Sequence, residues 1–278
     1  MTEYGQVVEK CRKYEFLIVV GAEDHYSTPG NKMMFLAQAV RYVRQYASKF
    51  DLTTVHYYTG DATAPQTAAF ETAVTNYGGT VKCVSDWTAT AARINTKQVI
   101  VDEQVFDKRI SVLMCIAHGV PGRIWLANRQ GIYFTKDSCA GMEASAFAAA
   151  GENGKGYASV HITSWACQTG NGYPRGSDAS TRMAERLAQS AATIARVTVF
   201  ASATRTSYAE TWETGLSGRI KDANGSRVII DGAVWQSTGA DGHIKSLENS
   251  YAGDIKLPHG MHVFTPGQAD GYAKKTLY

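Results

Sequence analysis

Short apolar runs alternate along this chain with longer segments in which apolar residues recur every three to four positions. The runs are rich in β-branched residues and have the length of buried strands, whereas the longer segments have the period of helices that cover one face. The predicted strands are 16–20, 53–58, 80–84, 98–102, 110–117, 160–166 and 196–201. The predicted helices are 31–49, 67–77, 89–95, 138–150 and 178–192, with a hairpin over 123–135. Alternation of this kind predicts an α/β fold with a mostly parallel central sheet.

The pattern changes near Thr206. The segment Asp222-Ala223-Asn224-Gly225 lies between two apolar stretches and is typical of a hairpin turn, and the tail is rich in glycine. We therefore expect residues 1–205 to form the core and residues 206–278 to form a C-terminal, antiparallel, β-rich extension of the same domain. A separate accessory domain is the alternative.

Two short strings follow two of the predicted strands. Ala117-His118-Gly119 stands at the end of the run 110–117, and Trp165-Ala166-Cys167-Gln168-Thr169-Gly170 stands at the end of the run 160–166, with Cys167 49 residues beyond His118. The carboxyl ends of parallel strands are where open α/β sheets keep their chemistry. The spacing therefore predicts that an imidazole and a thiol meet at one edge of the sheet.

A thiol is a weak nucleophile until a neighbouring base takes its proton, and His118 could serve Cys167 in that way. Glycine after the histidine permits a sharp turn, so the Gly119 and Cys167 amides could together stabilise an oxyanion. The alternative is that both residues are ordinary strand-end residues.

These strings resemble those of the caspase-like cysteine peptidases of clan CD, which include caspases, metacaspases, separase, gingipains and bacterial CHAT domains. The run from Ala166 to Gly172 is similar to the Ala-Cys-Glu-Thr-Gly-x-Gly string of CHAT domains, and the His118 string resembles a caspase-like domain of large bacterial surface proteins. The resemblance covers about residues 14–206. It implies a caspase-like three-layer sandwich, with His118 as base, Cys167 as nucleophile, and the Gly119 and Cys167 amides as oxyanion donors.

The specificity residues depart from the family. Trp165 stands where caspases have glutamine and metacaspases have aspartate, so neither specificity carries over; Trp165 is expected either to line the pocket or to pack beneath the site. Glu23, Asp24 and His25 follow the first strand, which ends near the substrate pocket in the resembled family. Asp24 is predicted to meet a basic P1 side chain, with a solvated loop acid as the alternative.

Composition narrows the classes of function. The chain has 28 Lys and Arg against 25 Asp and Glu, and no basic block longer than the one at residues 10–13, which argues against nucleic-acid binding. Its five cysteines include no C-x-x-C pair, which argues against a disulfide framework and a zinc site and favours a reducing, cytoplasmic compartment. The chain has no nucleotide-binding glycine motif, so no cofactor is expected, and the cysteine pattern gives no reason to expect a metal. It has no apolar run of about 18 residues, so no membrane span is expected.

The sequence thus predicts a cysteine endopeptidase that hydrolyses peptide bonds in a protein or peptide substrate, and an activating protein partner is compatible with the resemblance. A catalytically inactive caspase-fold interaction module and a thioester-forming acyltransferase on the same dyad are the alternatives. The glycine-rich segment from Gly170 to Ser177 is predicted to gate the cleft, with Arg175 as a point of self-cleavage, against the alternative of an uncut loop.

Overall fold

A computed structural model describes residues 12–24, 34–149, 160–170, 187–202, 261–266 and 272–275. Several predictions lie outside the described residues: the segment after Gly170, the Asp178 helix start and the turn at Asp222. The division into a core and an extension at Thr206 therefore stays a prediction.

The described strands form a nine-stranded sheet and a small three-stranded sheet. The strands are β1 (Arg12–Val20), β2 (Leu52–Tyr57), β3 (Thr80–Cys83), β4 (Gln98–Val101), β5 (Gln104–Ile116), β6 (His118–Val120), β7 (Arg123–Ala127), β8 (Ile132–Thr135), β9 (His161–Ser164), β10 (Thr198–Ser202), β11 (Met261–Phe264) and β12 (Tyr272–Lys275). The large sheet has the order β12-β11-β10-β9-β5-β1-β2-β3, with β4 paired to the start of β5. Strands β3, β2, β1, β5, β9 and β10 pair in parallel, which confirms the mostly parallel sheet.

Helices cover both faces of this sheet. They are α1 (Met34–Tyr46), α2 (Ala64–Asn76), α3 (Trp87–Asn95), α4 (Lys136–Ala140) and α5 (Leu187–Ala195). Alternate residues of β1 and β5 enter two separate apolar clusters: one contains α1 and α2, and the other contains α3, α4, α5 and the small sheet. Both faces of the central strands are buried, which explains why these strands appear in the sequence as unbroken apolar runs.

Helix α2 begins earlier than predicted because its first turn is capped. The Thr63 backbone N–H donates to the Gln66 side chain at 2.7 Å in a capping box, and a proline stands at the start of the helix. Helix α3 is capped by Asp86, whose carboxylate accepts the Ala89 N–H at 3.1 Å. Both helices therefore begin where a side chain satisfies an otherwise unpaired backbone donor.

Strand β5 is longer than the predicted run at 110–117. It begins at Gln104 and forms an antiparallel hairpin with β4. The two residues between these strands, Asp102 and Glu103, have φ angles of 49° and 65°, the left-handed pair that a two-residue hairpin turn requires. The predicted strand at 98–102 is therefore the other arm of this hairpin.

The predicted alanine-rich helix at 138–150 is wrong. Helix α4 ends at Ala140, and a single 3₁₀ turn follows at Ala144–Ala146 before Phe147 bridges to Ile110 of the large sheet. Asn95 holds the break, because its side chain donates to the Gly141 carbonyl at 2.7 Å and accepts the Glu143 N–H at 2.9 Å. Helix propensity is outweighed here by long-range hydrogen bonds and by the burial of Phe147.

The predicted hairpin at 123–135 is confirmed as β7 and β8, and His118–Val120 joins it as a third strand, β6. At the other edge of the large sheet, β11 pairs antiparallel with β10, and β12 with β11. In the described part of the chain no helix has the length and apolar character needed to cross a bilayer.

Candidate active site

The two predicted motifs leave neighbouring strands at the same edge of the sheet. Strands β5 and β9 pair in parallel, with Cys115 opposite Ser164, so His118 and Cys167 each follow the strand end by a few residues. Strand β1 lies on the other side of β5 and connects onward to β2, so the chain turns in opposite directions on the two sides of the β1–β5 pair. In open α/β sheets, the ligand-binding crevice lies at such a reversal, outside the carboxyl ends of the strands.

His118 is held by one carboxylate and two aromatic rings. Its Nε2–H donates to Glu23 Oε2 at 2.5 Å. The ring stands edge-on to Phe35, at 4.9 Å between centroids, and contacts Trp125 at 6.1 Å. The Glu23 side chain is 1% exposed, whereas the His118 side chain is 22% exposed. The imidazole is thus fixed on its buried side and open on the other.

Gly119 brings the two motifs into contact. A Cβ atom placed on Gly119 would lie 2.7 Å from the Ala166 Cβ and 2.9 Å from the Cys167 carbonyl oxygen. Any side chain at this position would push the two segments apart, so glycine is required by close approach and not by an unusual φ angle. The residue after the histidine therefore touches the backbone of the cysteine.

Cys167 itself is half-buried and lies in a tight turn. Gln168, the next residue, has a φ angle of 57°, a left-handed conformation that costs a non-glycine residue about 1 kcal/mol or more. Thr169 is fully buried; its hydroxyl donates to the Ala166 carbonyl at 3.0 Å and accepts from Ser164 at 2.7 Å. The hydroxyls of Ser164 and Thr169 therefore stabilise the turn that contains Cys167.

The next strand fastens the far end of the turn. The Gly170 N–H donates to the Ser202 carbonyl at 3.0 Å, and the Ser202 hydroxyl donates to the Ser164 carbonyl at 3.1 Å. His262 of β11 donates from Nδ1 to the Gly170 carbonyl at 3.1 Å. A Cβ on Gly170 would lie 2.7 Å from the Ala201 carbonyl oxygen, so glycine is again required by close packing. The conformation at Cys167 thus depends on three neighbouring strands.

Trp165 lies on the side of the sheet that α1 covers. Its ring stacks on Tyr42 at 6.1 Å between centroids, and its backbone N–H donates to the Cys115 carbonyl at 2.9 Å. It packs, half-buried, against the apolar cluster of that face. These contacts favour the interpretation of Trp165 as a packing residue beneath the site.

Asp24 is buried instead of solvated. Its Oδ2 accepts the backbone N–H of Arg129 at 2.9 Å, which ties the end of β1 to the turn between β7 and β8. Its Oδ1 is also buried and accepts no hydrogen bond from any residue that the structure describes. The predicted alternative of a solvated loop acid is therefore wrong, while the prediction that Asp24 meets a basic P1 side chain stays a prediction.

The other described thiols differ from Cys167 in their surroundings. Burial raises the pKa of Cys115 to about 12, and burial first, with the neighbouring Cys115 second, also raises the pKa of Cys139. Both stay protonated at neutral pH, so neither is a competent nucleophile. Cys83 is exposed on β3, which is separated from β9 by three strands of the sheet.

The turn after β1 is filled by protein. A Cβ on Gly21 would lie 2.6 Å from both the Ala117 Cβ and the Trp125 carbonyl oxygen, so this glycine serves chain packing instead of a phosphate. Among the described residues, no group of three or more His, Cys, Asp and Glu side chains is placed to hold a metal ion.

Sequence reasoning placed Glu23 near the pocket but did not identify it as the partner of His118. The signal available was a pair of adjacent acids after the first strand, and nothing in the sequence distinguishes Glu23 from Asp24. The choice is made by the path of the turn, which is fixed where the Ala22 N–H donates to the Leu126 carbonyl at 2.7 Å. The hydroxyl network behind Cys167 was also not predicted.

Comparison of the chain with protein-family models, curated proteins and solved structures finds no match.

Proposed function

We propose that this protein is a caspase-like cysteine endopeptidase in which His118 and Cys167 act as general base and nucleophile. The observation that carries the proposal is the contact of Gly119 with Ala166 and Cys167 at the carboxyl ends of two adjacent parallel strands. The imidazole and the half-buried thiol follow neighbouring strand ends, and the turn that holds the thiol has a left-handed residue, which supports the proposal. Such an arrangement suits nucleophilic catalysis.

The proposed reaction proceeds through a thioester. His118 takes the thiol proton, and the Cys167 sulfur then attacks the scissile carbonyl carbon to form a tetrahedral oxyanion, toward which the Gly119 and Cys167 N–H groups would donate. His118 gives its proton to the leaving amine as the C–N bond breaks. Water, deprotonated by His118, then attacks the thioester, and the thiol is regenerated with release of the carboxylic acid.

Substrate preference is proposed at a coarser level. The stacking of Trp165 on Tyr42 supports its interpretation as a packing residue beneath the site, so caspase-type or metacaspase-type selection at this position is not proposed. Asp24 follows Glu23 in the sequence and has a buried carboxylate oxygen with no hydrogen-bond partner among the described residues, and we keep the interaction of Asp24 with a basic P1 side chain as part of the proposal. A protein or peptide chain is the proposed substrate, and no cofactor enters the reaction.

The first experiment incubates a proteome-derived peptide library with the wild type, Cys167→Ala, His118→Ala and the control Cys83→Ala. We expect Cys167→Ala and His118→Ala to lose at least about 1,000-fold in turnover, with the unfolding free energy changed by about 1 kcal/mol or less. Cys83→Ala removes an exposed thiol far from the crevice and should leave turnover unchanged. Retained cleavage in Cys167→Ala would overturn the mechanism.

A second measurement separates the alternatives. Iodoacetamide at neutral pH, applied to the Cys83→Ala background, should label Cys167 in preference to Cys115 and Cys139, since burial keeps those two thiols protonated. Preferential labelling of either buried thiol would mean that the nucleophile is misassigned. Mass analysis of the products then distinguishes a hydrolase, which releases free acids, from an acyltransferase, which releases acylated amines. Labelling of Cys167 without any product would favour an inactive interaction module.

A further inference from the structure

The Glu23–His118 pair adds a third participant to the proposed dyad. Glu23 follows β1, His118 follows β5, and these strands pair in parallel from Arg12 opposite Asp107 to Val20 opposite Ile116. The carboxylate thus reaches the imidazole from the strand on the opposite side of β5 from Cys167. The acid, the imidazole and the thiol thus follow three adjacent strands, β1, β5 and β9.

The geometry determines the role of each ring nitrogen. Nε2 donates to Glu23 Oε2 at 2.5 Å, so Nε2 carries a proton in both charge states of the ring. The proton that passes between His118 and Cys167 must then be carried by Nδ1. The rings of Phe35 and Trp125 hold the imidazole in this orientation.

We propose that Glu23 is a positioning residue that fixes the tautomer of His118 and stabilises its cationic form, so that Cys167 is kept as a thiolate. The inference rests on the proposed function. Glu23 is suited to this role because its side chain is 1% exposed and therefore interacts with the imidazolium with little screening by water. A carboxylate that orients a catalytic histidine in this way is known to stabilise the imidazolium without taking up its proton.

Glu23 acts only through His118, so its test needs a readout that loss of fold would not change. The variants are Glu23→Gln, which keeps the shape and removes the charge, and Glu23→Asp, which keeps the charge on a shorter side chain. The matched control is Glu143→Gln, the same chemical change at an exposed carboxylate paired with Lys97. Circular dichroism melts establish that each variant is folded before activity is measured.

The readout is the rate of Cys167 alkylation by iodoacetamide from pH 5 to pH 9, in the Cys83→Ala background, with kcat/KM for peptide cleavage measured in parallel. Glu23→Gln should lower kcat/KM by about 10²–10⁴-fold. It should also move the rise in alkylation rate to higher pH, because the imidazolium that stabilises the thiolate has lost its partner. Glu23→Asp should recover part of both effects, and Glu143→Gln should match the wild type.

The outcomes separate the two proposals. If alkylation of the wild type is unaffected by His118→Ala and no peptide is cleaved, the proposed function fails. If the wild type is active and depends on His118, but Glu23→Gln keeps the wild-type alkylation profile, only the role of Glu23 is overturned. A folded Glu23→Gln with reduced kcat/KM and an unshifted profile would also overturn it, since that result assigns Glu23 a merely structural role.

Discussion

Strand β1 supplies a glutamate to each of two regions, and the two regions use it differently. Glu15, within the strand, lies in a buried ionic cluster with Lys108 of β5 and Arg93 of α3. Glu23, just beyond the strand, pairs with His118 beyond the end of β5. The same two neighbouring strands therefore carry both pairs, one in the body of the sheet and one at its carboxyl edge.

In the buried ionic cluster, both partners of the Glu15–Lys108 pair are closed off from solvent, and we call this cluster closed. Glu15 and Lys108 are both fully buried, and the Glu15 carboxylate accepts hydrogen bonds from Lys108 at 2.8 Å, Arg93 Nε at 2.8 Å and Thr54 at 2.6 Å. Burial alone would raise the pKa of Glu15, but the two cations hold it below its ordinary value. At the Glu23–His118 pair only the acid is buried. Burial of both partners favours a fixed structure, whereas burial of one leaves the other available for proton transfer.

The largest expected effect is the loss of unfolding free energy when the closed cluster is disrupted. Glu15→Gln leaves the fully buried Lys108 without a counter-charge, and we expect a loss of about 3–5 kcal/mol in unfolding free energy by chemical denaturation. The double variant Glu15→Gln with Lys108→Met should lose less than the sum of the two single variants, because it no longer leaves the Lys108 ammonium without its partner. A loss below about 1 kcal/mol, or full additivity, would contradict the closed-cluster interpretation.

The second expected effect is a pH dependence of the unfolding free energy that His56 causes. His56, beside this cluster, is 2% exposed and meets Thr90 Oγ1 at 3.1 Å. Burial first, and then the charge of Arg93, lowers the pKa of His56 to about 4. The unfolded chain binds this proton near pH 6.5, so the contribution of neutral His56 is present above that pH and falls by about 3 kcal/mol as the pH drops to 4.

Denaturant titrations of the wild type and His56→Gln at pH 7.5, 5.5 and 4.5 check this. The difference in unfolding free energy between the two proteins should shift in favour of the variant as the pH falls. A difference that does not vary with pH would show that His56 is not kept neutral by the fold.

The smallest expected effect concerns the stability of the open pair. Glu23→Gln should change the unfolding free energy by about 1 kcal/mol or less, because the His118 side chain is partly exposed and can be hydrated when its partner is lost. Thermal and denaturant melts of this variant and of Glu15→Gln, run side by side, provide the comparison. Equal losses for the two variants would contradict the distinction between a closed and an open glutamate.

The main elements of the sheet could be predicted from the sequence because burial on both faces produces unbroken apolar runs. Strands β1 and β5 have this property. The segment at 138–150 could not be predicted in the same way, because its alanines favour a helix locally while Asn95, distant in sequence, holds it open at Gly141 and Glu143. Helix propensity depends on the residues of the segment itself and does not include the hydrogen bonds that a distant residue makes to it.

For the site, the two strings with His118 and Cys167 were found because each directly follows a strand. Glu23 could not be assigned to His118, since the direction of a side chain three residues beyond a strand depends on the turn and not on the alternation within the strand. The bond from Ala22 to Leu126 sets that turn, and it joins parts of the chain more than 100 residues apart. Residues outside regular strands thus need the tertiary structure.

Because β5 pairs directly with β9, the register of these two strands affects the relative position of the proposed base and nucleophile. Neighbouring strands lie about 4.8 Å apart, and a slip of one residue in either strand would move its end by about 3.3 Å and turn its side chains to the opposite face. The register of the hydrogen-bond ladder, with Cys115 opposite Ser164, therefore sets where the two segments that carry His118 and Cys167 leave the sheet. An insertion or deletion inside either strand would shift this register, whereas length changes in the connections between them would leave it intact.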